Sequence, residues 1–128
     1  MDKDRSDLGL KVMQDIFGVE GTESLMKPFR ATAGVVEDDW EPEVRAFAFG
    51  TVYSRNGLDL KSRALVTIGV VTALGHLDIL EPWLKASREM GLPYEAIREA
   101  IIQSAVYGGF PNSRRALGVA QRVLGSEP

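Results

Sequence analysis

The chain has 128 residues, enough for one domain that buries most of the surface its unfolded form exposes without disulfide or metal staples. With 45% hydrophobic and 26% charged residues and a net charge of -3, it has the composition of a soluble globular protein, and no basic excess points to nucleic acid. It has no cysteine, which excludes disulfides, thiolate metal sites and thiol nucleophiles together.

The first element is predicted from about Asp7 to Phe17, where Leu8, Val12, Ile16 and Leu10, Met13, Phe17 recur at helical spacing and Gly18 is the stop signal. Thr22 is placed to cap a short second helix through Ala33, which Pro28 should bend or end. Acidic Glu37, Asp38 and Asp39 precede a helix from about Asp39 to Tyr53 with Trp40, Val44, Phe47, Ala48 and Val52 as its apolar face. Trp40 reads as core.

Asn56 and Gly57 form a turn, and Asp59 caps a helix continuing to about Leu74. Its apolar residues point in nearly every direction, as in a helix surrounded by others. Ile68, Val70 and Val71 also suit a buried strand, but the run is long and has no strand partner. After Gly75, Asp78 can cap a helix through Met90 that contains Pro82 near its start. Pro93 opens a further helix ending at Gly108 and Gly109, with Ala96, Ile97, Ala100, Ile101, Ser104 and Ala105 as its face. Pro111 opens the last helix, and the GSEP tail is expected to fray. The expectation is one all-α domain over residues 1–128.

The longest apolar stretch, Ala64 to Gly75, falls short of the roughly 20 residues of a membrane span. The opening MDKDRSD lacks the apolar core of a signal peptide, so the expected location is the cytoplasm, with no membrane partner. His76 is the single histidine, too few for an ordinary zinc site, and no metal or other cofactor is expected.

An ordered series of motifs carries a resemblance. It runs R-x-G-L-D at Arg55 to Asp59, K-x-R at Lys61 to Arg63 and A-L-G at Ala73 to Gly75. It continues with G-L-P-Y-E-A-I-R-E at Gly91 to Glu99 and A-V-Y-G-G-F-P at Ala105 to Pro111. Through these, and through LGLKVMQDIFG near the start, the chain resembles the carboxymuconolactone decarboxylase family. The resemblance implies an all-α subunit of the alkylhydroperoxidase D type, about six helices in a bundle, assembling into homotrimers or homohexamers. It also implies pockets between helices and near subunit contacts. The family's named enzyme decarboxylates 4-carboxymuconolactone without a cofactor, while the redox relatives use Cys-x-x-Cys-x-x-x-His and an upstream Glu. In the register set by A-L-G those four positions are Ala64, His76, Ile79 and Trp83, so every one has changed. The decarboxylase branch normally carries E-L-x-x-H, where this chain has Ile79 and Trp83.

Cofactor-free decarboxylation requires a protein to hold a carboxylate, stabilise the enolate that is left, and return a proton to it. His76 reads either as that proton donor or as a capping, structural histidine. Trp83 reads either as a platform covering a cyclic ligand or as core. Arg55 borders the pocket by resemblance and suits a substrate carboxylate, whereas for Arg63 surface ion pairing stays the preferred reading. Tyr107, before two glycines, either offers its phenol to a ligand or ends a helix in the core. Glu81 reads as a solvated first-turn carboxylate, and Arg114 and Arg115 as solvent or subunit contacts. The preferred reading is a cofactor-independent lyase, first of all a decarboxylase, acting on a small cyclic or unsaturated carboxylate or lactone. The alternatives are another cofactor-free proton-transfer enzyme (dehydration, aldol or cyclisation) and a noncatalytic ligand-binding oligomer.

Overall fold

The computed structural model describes residues 3–31 and 40–125, and all regular structure among them is helical. The chain divides into two compact units, Met1–Leu58 and Asp59–Pro128.

In the first unit, α1 spans Lys3–Ala31, α2 spans Trp40–Val44, and a π-helix spans Arg45–Val52. Gly18 interrupts α1 with φ 76 and ψ 173, so the expected stop is a kink between two helical stretches. Thr22 does not cap the second stretch. It is buried, and its hydroxyl donates one turn back to the Gly18 carbonyl at 2.7 Å. Pro28 lies inside α1, which ends three residues later at Ala31.

The expected helix from Asp39 to Tyr53 is corrected more deeply. After α2 the Tyr53 N–H donates to the Ala48 carbonyl at 2.9 Å and the Thr51 hydroxyl to the Ala46 carbonyl at 3.2 Å, both reaching back five residues. This wider winding shifts the inward face to Ala46, Phe49 and Gly50, leaving Phe47 60% exposed. Phe49 sits edge-on to Phe17 and stacks on Tyr53 with centroids 5.0 Å apart, where α1 packs on the π-helix. The acidic run at residues 37–39 and the side chain of Trp40 lie outside the described residues.

The second unit contains α3 (Leu60–Leu74), α4 (Leu77–Glu89), α5 (Tyr94–Gly108) and α6 (Phe110–Leu124). Asp59 caps α3 as expected, its Oδ1 accepting from the Ser62 N–H at 2.8 Å. Hydrogen bonds from the Ser62 hydroxyl and backbone, with the nearby Lys61 charge, hold the Asp59 carboxyl below its ordinary value of 3.8. α3 packs on α4, α5 and α6 through Ala64, Ile68, Val71 and Thr72. It is not enclosed on all sides as predicted, because Val66, Val70 and Leu74 are exposed in the subunit. The core is completed by Leu80, Trp83 and Leu84 of α4, Ile97 and Ile101 of α5, and Ala116 and Ala120 of α6. Buried Ser113 joins α6 to α5, its hydroxyl donating to the Ile101 carbonyl at 2.8 Å. The residues after Gly125, including the expected frayed end, lie outside the described residues.

Candidate functional site

Both α3 and α5 end where α4 and α6 begin, and this junction is tightly built. At the end of α3, Gly75 adopts φ 77 and ψ 21, a left-handed conformation that costs a side chain free energy and glycine little. The Gly75 N–H donates to the Thr72 carbonyl at 3.0 Å and the His76 N–H to the Val71 carbonyl at 2.8 Å. These two bonds reverse the chain and leave His76 as the residue before α4. Asp78 is therefore not the cap; it lies in the first turn of α4, and the His76 side chain makes no capping hydrogen bond. The imidazole is exposed.

On the other side of the junction a Cβ on Gly108 would stand 2.5 Å from the Ala73 Cα, so only glycine permits this backbone approach of α5 to α3. Asn112, in the first turn of α6, bridges the two helix ends. Its Nδ2 donates to the Ala73 carbonyl at 3.0 Å and to the Gly108 carbonyl at 3.3 Å. Two C-terminal carbonyls that helix geometry leaves without partners are thereby satisfied by one side chain.

Leading to the junction, α3 and α5 border a groove of about 620 Å³. The α3 wall is apolar, with Leu65, Val66, Gly69, Val70 and Ala73. The α5 wall carries Glu99, Gln103 and Tyr107 one helical turn apart, with Ala100 and Ser104 between them. Tyr107 stands at the junction end with 91% of its surface exposed. Such a trough suits a ligand with an apolar body and a few polar groups.

The second unit thus carries two of the expected site residues, His76 and Tyr107, at the two helix ends of the junction, and of these Tyr107 lines the groove while His76 does not. Trp83 lies two turns further along α4, 3% exposed, on the buried side with Leu80, Leu84 and Ser87; it does not border the groove. Arg55 belongs to the first unit, exposed in the turn after the π-helix, with its N–H donated to the Val52 carbonyl at 3.1 Å. Glu81 is not merely solvated, since it pairs with Arg122 at 3.1 Å and Lys85 at 3.8 Å. Sequence reasoning missed Asn112; Arg115, read as a solvent or subunit contact, is exposed, and its Nη2 donates to Asn112 Oδ1 at 2.6 Å. Their three-residue separation at the start of a helix was the available signal. Among the described residues no group of three or more His, Asp or Glu is placed to hold a metal ion, and no helix is long and apolar enough to cross a membrane.

Residues 39–122 match the model of the Carboxymuconolactone decarboxylase family. The chain is 31% identical to 4-carboxymuconolactone decarboxylase of Acinetobacter baylyi, over 96% of this chain and 89% of that protein. It is 33% identical to nitrosuccinic acid decarboxylase npaB of Metarhizium robertsii, over 92% of this chain and 80% of that protein. A third relative, an uncharacterized 15.0 kDa protein of Paracoccus denitrificans, is 40% identical over 62% of this chain and 60% of its own length.

Proposed function

Since the chain belongs to the carboxymuconolactone decarboxylase family, we propose that it is a cofactor-independent decarboxylase of a small cyclic or unsaturated carboxylate or lactone. The observation that carries this reading is similarity along nearly the whole chain to two proteins named as decarboxylases of different acids. Relatives with different named substrates make the reaction type safer to transfer than the substrate.

The apolar body of the substrate lies along the groove between α3 and α5, with the reacting carbon at the junction. There the apolar wall favours the spread of the carboxylate's charge into an enolate as carbon dioxide leaves, and His76 gives that enolate its proton. Tyr107 supplies a phenol for the enolate oxygen. Trp83 packs in the core two turns along α4 from His76 and helps hold that helix in place. The chain works as a homotrimer or homohexamer, a reading supported by the uncovered apolar side chains of α3 and α5.

The test is to incubate the purified full chain separately with 4-carboxymuconolactone and with nitrosuccinate, following carbon dioxide release and product. Turnover of one or the other is expected, and H76A should lower kcat on that substrate by about 10²–10⁴-fold with the fold retained. Absence of turnover with both removes the assignment to these reactions, and an unchanged kcat in H76A removes the proton-transfer role.

A further inference from the structure

Asn112 commits both amide hydrogens to the Ala73 and Gly108 carbonyls, which fixes which way its side chain faces. The reverse orientation would set an amide oxygen against two carbonyl oxygens. Oδ1 is left to accept, and it accepts from Arg115 Nη2 at 2.6 Å. That same oxygen lies 3.3 Å from where a Cβ would stand on Gly75, the residue before His76. The guanidinium is consequently held beside the α3–α4 reversal, at the Tyr107 end of the groove.

Asn112 is a neutral acceptor, and Arg115 is exposed and faces no carboxylate among the described residues, so most of its N–H donors meet solvent. The junction is also where α4 and α6 begin, neither with a side-chain cap, although exposed Asp78 in the first turn of α4 works against an anion. A guanidinium fixed beside Gly75, the residue before His76, with no carboxylate of its own, suits a carboxylate brought by a ligand.

We propose that Arg115, oriented by Asn112, anchors a substrate carboxylate that remains on the product. Pairing with the departing carboxylate would stabilise the ground state and weaken as its charge moves away, opposing the reaction. Pairing with a carboxylate that keeps its charge contributes equally before and after the step and sets specificity. Arg115 is then a specificity-determining residue and Asn112 a positioning residue. The ligand's chemistry rests on the decarboxylase reading, whereas the anchor itself is testable without turnover.

The experiment titrates the full-length protein with succinate and, separately, with its neutral diamide, following backbone amide resonances by NMR. Succinate is expected to shift Gly75, His76 and Arg115 saturably, and the diamide is not. R115Q, at an exposed position that leaves the core intact, should weaken succinate binding by about tenfold or more, as loss of a charged hydrogen-bonding partner does. R115K should recover part of it, since it restores the charge without the fork. N112A should weaken binding while its helix content stays that of the parent. Where turnover is found, R115Q should raise KM far more than it lowers kcat. Succinate binding that is absent, maps elsewhere or is indifferent to R115Q overturns the anchor. Succinate binding as described with no turnover of either acid leaves the anchor standing and sinks the reaction instead.

Discussion

Trp83 illustrates what a residue's spacing can and cannot tell. It read either as a ligand platform or as core, because periodicity does not distinguish a face turned to a ligand from one turned to neighbouring helices. Its 3% exposure determines the consequence of removing it. W83A should destabilise the protein by about 3–5 kcal/mol in denaturant titration, as loss of a large buried aromatic does, and W83F should cost much less. A W83A variant of unchanged midpoint would contradict the packing described. Thr22 shows the opposite error: its type and its distance past Gly18 fit a cap, yet the hydroxyl serves a carbonyl inside a kink. Arg115 was illegible because an arginine near a helix start is ordinary, and its meaning comes from Asn112 and from a glycine 40 positions back in the chain.

At the level of elements, boundaries with a strong chemical signal were readable and windings were not. Asp59 before an apolar run, Gly75 after it, and Pro93 and Pro111 at helix starts all stand where sequence placed them. The π-helix was missed because a regular 3.6-residue pattern fitted Arg45–Val52 almost as well, and the actual winding is decided by packing on α1. The cap on α3 has a pH signature. The folded state lowers the Asp59 carboxyl below 3.8, so its contribution is complete above that value and is lost as pH falls through the lowered one. Thermal melts of the parent and D59A should differ at neutral pH, with the parent more stable, and converge in acid. A gap that stays constant down to full protonation would contradict the ionised cap.

For the molecule as a whole, the all-α class and the family were legible from motifs spread over the chain. Helix-by-helix reading finds apolar faces without saying what covers them. On α3, α5 and the start of α6 much remains uncovered within the subunit, including Val66, Val70, Val106 and Phe110. Sedimentation of the parent should give a trimer or hexamer, and V106D, at an exposed site outside the groove lining, should shift it toward smaller species. A monomeric parent at micromolar concentration would overturn that assembly. The meeting of Gly108 with Ala73 has a bearing on how this scaffold diversifies. The two groove walls are spliced there by main chain, so mutation of lining side chains at Leu65, Val66 or Val70 alters the contour of the trough while its pitch at the Gly108 end stays fixed. On the proposed reading, the body of the acid could change with those side chains while its anchoring end does not.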